Sequence, residues 1–167
     1  LQGTREKTGL SLALGSNEIT LLELVRAFSI FPNDGVLKEI QINQQTKNKG
    51  KQVIKTDTAR IICDFLSDKA AQSLGFGNAK VFNTEYPSIF KTGTANQYQD
   101  IIALAATKEY TVGVWLGNLN GETVIKKTGS SIPALIARNI LDYLTLPQLE
   151  QLDKKEKLKF NQPEQYT

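Results

Sequence analysis

Four consecutive residues, Lys91-Thr92-Gly93-Thr94, bring together a cation, two hydroxyls and a residue without a Cβ. Carried on a strand at the rim of a pocket, such a string engages an anionic substrate in two ways. Side-chain donors from Lys91, Thr92 and Thr94 meet a carboxylate, and a backbone N–H points at a developing oxyanion. Gly93 lets a substrate backbone come close enough to hydrogen-bond like an added strand. An apolar lead-in, Tyr86-Pro-Ser-Ile-Phe90, precedes the string, and the apolar run from Ile101 to Ala106 follows it. That is the pattern of a sheet strand and its neighbour.

The tetrapeptide alone is not specific, because Lys127-Thr128-Gly129-Ser130 repeats its form. Context separates the two copies. The second stands directly before Ile132-Pro133-Ala134-Leu135, where Ser130 or Ser131 can cap a helix and Pro133 suits its first turn. It reads as a loop and helix cap, which leaves Lys91 to Thr94 as the candidate site. Ser88 and Lys91 also have the spacing of a serine nucleophile and an activating lysine. On a strand they project to opposite faces, so that spacing reads as coincidence.

Absences narrow the chemistry further. The chain has no histidine, which excludes a Ser-His-Asp triad, a Cys-His dyad and any histidine metal site. No metal and no cofactor is expected. The net charge of +3, from 20 basic and 17 acidic residues, is interspersed and forms no basic stripe, so no nucleic-acid partner is expected. Cys63 lies in an apolar helical pattern with Ile61, Ile62, Phe65 and Leu66 and reads as a small buried hydrophobe. No stretch is apolar and long enough to span a bilayer. The chain opens without Met in polar text, Leu1-Gln-Gly-Thr-Arg5, and is expected to be a piece of something longer.

The elements that must position the site follow from periodicity. Thr20-Leu-Leu-Glu23 is a capping box, and Leu21, Leu24, Val25, Phe28 and Phe31 fall on one helical face that Pro32-Asn-Asp-Gly35 ends. Val36 to Ile42 alternates like a strand, Asn48-Lys-Gly50 offers a turn, and 52–55 can return as a second strand. A helix is expected from Asp57 to about Leu66, and a short helical stretch from Asp68 to Leu74. Strands are expected over 89–94, 101–107 and 110–116, then an amphipathic helix from Ile132 to Leu144 halted by Pro147. Trp115 and the pair Phe28 and Phe31 read as core, and Tyr98 as an exposed loop residue. Helices, then an antiparallel run, then a helix returning across it make an α+β fold, an antiparallel sheet flanked by helices.

With these pieces in order, the chain resembles the C-terminal half of a penicillin-binding protein transpeptidase domain of the bifunctional class A type. The resemblance runs from about Gly9 to Leu144. Leu12-Ala-Leu-Gly-Ser16 with Ile19 to Val25 and Phe31-Pro-Asn-Asp-Gly35 is similar to the helix after the family's second motif. Phe90-Lys-Thr-Gly-Thr-Ala-Asn96 with Asp100 is similar to its third motif, and Tyr110-Thr-Val-Gly-Val-Trp-Leu-Gly-Asn118 to the strand that follows. Residues 1–146 are then expected to be the C-terminal portion of the domain, and 147–167 a polar tail or linker.

The resemblance implies a peptidoglycan D,D-transpeptidase acting on D-Ala-D-Ala stem peptides through a serine acyl-enzyme and poisoned by β-lactams. It implies that Lys91 sets the electrostatics of the cleft and moves protons. It makes Thr92 and Thr94 carboxylate binders, with Gly93 allowing approach and the Thr94 N–H completing the oxyanion hole. Asn96 is placed beside the substrate; Asp100 lies nearby, or simply caps a turn. The family's Ser-x-x-Lys and Ser-x-Asn motifs would lie upstream of Leu12, so the chain by itself is expected to be inactive. Its partners would be stem peptides, β-lactams and the upstream half of the same domain. The implied location is the cell envelope, on the periplasmic or extracellular face of the membrane, with a glycosyltransferase domain upstream. A β-lactamase or β-lactam sensor shares the motif, and a non-catalytic module binding peptidoglycan or a partner remains the other alternative.

Overall fold

The computed structural model describes residues 9–10, 15, 17–42, 50–70, 80–95, 98–124, 131–149 and 158–164. The turn expected at 48–50 is described only at Gly50, and the helical stretch expected at 68–74 only at its first three residues; the rest of both lies outside that set.

Helix α1 spans Leu21–Phe28. Its capping box forms, with the Glu23 N–H donating to Thr20 Oγ1 at 3.2 Å and the Thr20 N–H to Glu23 Oε2 at 3.1 Å. Two orphan donors of the first turn are thereby satisfied. The chain leaves α1 through a turn with Asp34 and Gly35 at positive φ, then forms β1, Val36–Leu37, antiparallel to β2, Lys51–Gln52. This hairpin is shorter than its alternating sequence suggests. Ile40 and Ile42 are exposed, so no second layer rewards a longer ladder. Helix α2, Thr56–Ser67, follows, and a 3-10 turn at Lys80–Phe82 leads toward the main sheet.

That sheet has three antiparallel strands, β3 (Ile89–Thr94), β4 (Asp100–Ala106) and β5 (Thr111–Gly117), in the order β3-β4-β5. Alternation sends side chains to two faces, and both are covered. Phe90, Ala103, Ala105 and Val112 pack with Phe82, Tyr86 and with Ala134, Ala137 and Leu141 of α3, Ser131–Leu149. Ile89, Leu104 and Ala106 pack on the other face with Phe28 of α1 and Cys63 of α2. Helix α1 lies so close to β5 that a Cβ on Gly113 would overlap Val25 Cγ2. The α+β architecture, an antiparallel sheet flanked by helices, is therefore observed.

Two local expectations change. Pro147 does not halt α3, which continues to Leu149. In the last turn a proline forfeits one hydrogen bond, too little to unwind a helix held by the sheet. Trp115, expected in the core, is 36% exposed. The alternation is right, but α1 covers β5 only around Gly113, and Trp115 lies further along. Apart from these, residues 158–164 make contacts with the body. Leu158 is buried, Asn161 Nδ2 donates to Asp34 Oδ2 at 2.7 Å, and Arg60 Nη1 to the Gln162 carbonyl at 3.1 Å.

Arg60 also grips Asp34 as a fork, Nε to Oδ1 at 2.9 Å and Nη2 to Oδ2 at 3.3 Å. Burial alone would raise the Asp34 carboxyl, but the bonds from Arg60 and Asn161 outweigh it and hold the carboxyl below its ordinary range. A depressed carboxyl stabilises the fold above its unfolded pKa, and that contribution is lost as pH falls through the depressed value. Asp34→Asn should therefore flatten the pH dependence of thermal stability below about pH 4, with little change in its slope near neutrality. Leu141 is fully buried against the sheet. Leu141→Ala should cost about 2–5 kcal/mol in denaturant unfolding.

Candidate active site

Strand β3 carries the candidate site and pairs only with β4 among the described residues. Its register runs from Ile89 opposite Ala106 to Thr94 opposite Ile101. The first two residues, Ile89 and Phe90, are buried on opposite faces and anchor the strand. Beyond them burial falls away: Lys91, Gly93 and Thr94 are exposed and Thr92 is half-buried. Apolar residues hold one end of the strand in the core, and the polar end projects past the helical layers.

The lead-in is held from the α3 side. Tyr86 is buried, and its hydroxyl donates to Asp142 Oδ1 at 2.6 Å. Burial first, then that bond to an anion, push the phenol well above its ordinary range, so it stays a neutral donor. Arg138 pairs with Asp142 at 3.2 Å and donates to the Lys80 carbonyl, tying the 3-10 turn to α3.

By alternation Lys91 and Gly93 share the α1 face with Ile89, and Thr92 and Thr94 share the α3 face with Phe90. Lys91 Nζ donates to the Thr92 carbonyl at 2.8 Å, folded back on its own strand. A Cβ built on Gly93 meets no described atom within 4 Å. Packing within the described residues thus requires glycine at 113 but gives no reason for it at 93. Ser88 is buried and its hydroxyl lies 2.7 Å from that of Thr84, while Lys91 is exposed and bonded to the Thr92 carbonyl. The two do not form a serine–lysine pair. Asn96 and the second Lys-Thr-Gly copy, residues 127–130, lie outside the described residues.

Asp100 begins β4 beside the end of the site strand and accepts the Trp115 indole N–H at 2.7 Å. Sequence reading took Trp115 for core and did not pair it with Asp100; the signal was their cross-strand spacing, which only the register supplies. A cleft of about 490 Å³ lies elsewhere, between α1, the segment after β1 and the turn joining β4 to β5, with Leu22, Arg26, Lys38 and Lys108 in its wall. It is at the opposite end of the sheet from Thr94. Among the described residues no cluster of His, Cys, Asp or Glu could hold a metal, and no helix is long and apolar enough to cross a membrane.

A mixed sheet-and-helix domain with a Lys-Thr-Gly-Thr edge strand is the arrangement of the β-lactam-sensitive serine acyl-transferases. The family model described as "Penicillin binding protein transpeptidase domain" matches residues 3–142, and the chain belongs to that family. It is 34% identical over 119 residues to penicillin-binding protein 4 of Bacillus subtilis (strain 168), covering 65% of this chain and 19% of that protein. It is 26% identical over 128 residues to penicillin-binding protein 1C of Escherichia coli (strain K12), covering 75% of this chain and 16% of that one. The crystal structure of penicillin-binding protein 1A from Haemophilus influenzae superposes with a TM-score of 0.67 at 19% identity, over 92% of this chain and 29% of that one. That likeness speaks for the fold. The chain spans less than a fifth of the length of these two curated relatives.

Because Ser88 is sealed against Thr84, it should not be acylated. Peptide mapping of the chain after exposure to a fluorescent penicillin should leave the Ser88 peptide unmodified; modification there would restore the Ser88–Lys91 pair as a nucleophile.

Proposed function

We propose that this chain is the third-motif portion of a peptidoglycan D,D-transpeptidase, completed by polypeptide upstream in the same domain. In that enzyme a serine from the upstream part attacks a donor peptide ending in D-Ala-D-Ala. Acylation breaks the D-Ala–D-Ala amide and releases the terminal D-Ala; an amine of a second stem peptide then takes the acyl group from the ester and frees the serine. Lys91 tunes the cleft and moves protons. The hydroxyls of Thr92 and Thr94 bind the donor's terminal carboxylate, or that of a β-lactam. The Thr94 N–H is the oxyanion donor within this chain, and the upstream serine's own N–H is the second. Gly93 admits the substrate backbone along the free edge, with Asn96 beside it. The location is the cell envelope, outside the cytoplasmic membrane, where the substrate is.

The observation that carries this reading is the state of β3: an exposed polar end, with an edge unpaired and space open over Gly93 among the described residues, inside a segment that belongs to the transpeptidase family. The surface of α3 supports the proposed upstream partner. Its buried stripe is Ala134, Ala137 and Leu141, yet Ile132, Leu135, Ile136, Ile140 and Tyr143 form a second, exposed apolar stripe. A helix apolar on two sides suits a position between two layers.

Fluorescent penicillin should label the full-length protein and leave this chain alone unlabelled. In the full-length protein Lys91→Ala should lower the acylation rate by about a hundredfold or more, and Lys127→Ala by less than about twofold. Equal loss from both would reverse the choice of motif, and an unlabelled full-length protein would remove the transpeptidase reading.

A further inference from the structure

We propose that Trp115 and Asp100 are positioning residues that brace the hairpin beyond Thr94 and so hold the Thr94 amide for acyl transfer. The proposal rests on the transpeptidase reading for its functional half and on the geometry below for its structural half.

Among the described residues strand β3 has a single neighbour, β4, which orients its polar end from that side. Thr94 pairs with Ile101, and beyond it the chain turns back between Ala95 and Asp100. That turn closes through the Ala95 N–H to the Asp100 carbonyl at 2.8 Å and the Tyr98 N–H to the Ala95 carbonyl at 3.1 Å. It also holds Tyr98 at φ 59°, a left-handed conformation that a bulky L-residue rarely adopts. A turn of that kind needs support from outside itself.

Support comes from β5, two strands away. Asp100 lies opposite Gly117 and Ile102 opposite Trp115, so Trp115 reaches Asp100 diagonally across the ladder. The indole N–H meets Asp100 Oδ1 at 2.7 Å, a short bond to a carboxylate. The ring lies over Gly117, where a Cβ would overlap its atoms, so the glycine makes room for that orientation. A second tie arrives just after β5: the Val124 N–H donates to the Tyr98 carbonyl at 2.9 Å. Both ties meet the 95–100 hairpin, and neither touches the buried core clusters.

The exposure of Trp115 sharpens the point. A tryptophan retained for packing is normally well buried. This one is 36% exposed, held by one polar bond and one tailored glycine. The register places Asp100, Ile102 and Trp115 on the same sheet face as Lys91 and Gly93. A shift at Asp100 is passed through the Ala95 bond to the Thr94–Ala95 peptide, the one directly after the Thr94 donor. Small displacements of oxyanion donors are costly, of the order of a hundredfold in rate for about 1 Å.

The test uses three variants. Trp115→Phe keeps a ring and loses the N–H; Asp100→Ala loses the acceptor; Asp100→Asn keeps an oxygen acceptor. In the full-length protein the acylation rate constant for penicillin should fall about ten- to a hundredfold in Trp115→Phe and Asp100→Ala. The dissociation constant of the pre-covalent complex should stay within about twofold, and Asp100→Asn should return most of the rate. In the same full-length protein, amide exchange at Ala95 and Tyr98 should quicken in the first two variants and not in Asp100→Asn. Unchanged acylation alongside faster exchange would overturn the positioning role, as would a loss confined to the dissociation constant. Unchanged exchange would overturn the brace itself. An unlabelled wild-type full-length protein would instead count against the transpeptidase reading, leaving the exchange data to decide the brace.

Discussion

Burying β4 between two helical layers restricts what its residues can be, and the placement of the candidate site depends on that burial. On its α3 face the strand offers Ala103 and Ala105, which share a core with Ala134 and Ala137 of the helix. Small residues on both partners let the helix axis approach the sheet, and dense packing follows without voids. On the opposite face Leu104 and Ala106 join Phe28 and Cys63. Burial pushes the Cys63 thiol up to about 12, with the Asp34 charge adding to it, so the group behaves as a neutral hydrophobe.

With β4 held from both sides, β3 becomes an edge strand with one end in the core and one end out. Ile89 and Phe90 anchor opposite faces, so the strand cannot slip by one residue without exposing both. That register sends Lys91 and Gly93 to one side and Thr92 and Thr94 to the other, at the point where helical cover ends. Edge strands are hazards that proteins usually cover, pair or charge. Here the edge bears a lysine and two threonines, which suits a surface that meets a solvated, anionic ligand rather than another copy of the sheet.

The far side of the molecule is organised by charge. Arg60 and Asp34 join α2 to the turn after α1, and Asn161 and Gln162 bring the 158–164 segment onto that pair. Lys108, at the turn joining β4 to β5, donates to Asn161 Oδ1 at 3.2 Å. Four separate parts of the chain therefore meet around one carboxylate, far from Thr94 along the sheet. Leu158 buried beneath them contributes about 1.5–3 kcal/mol of apolar burial, more than the exposed polar contacts above it supply.

Local chemistry made much of this legible in the sequence. The capping box at Thr20, the three strands and the buried Cys63 are short-range patterns, read from period and neighbours. Pro147 misled because its cost depends on which turn of a helix it occupies. Trp115 misled because alternation gives the face of a strand but not where the covering helix stops. The diagonal Trp115–Asp100 bond, the pinning of 158–164 by Asp34 and Arg60, and the tie from Tyr86 to Asp142 join residues 15 to 127 positions apart. Such pairings are set by packing and register, not by propensity. The sequence by itself determined the family and the elements that hold the Lys-Thr-Gly-Thr strand; the tertiary structure decided where each layer ends, because burial is a property of neighbours distant along the chain.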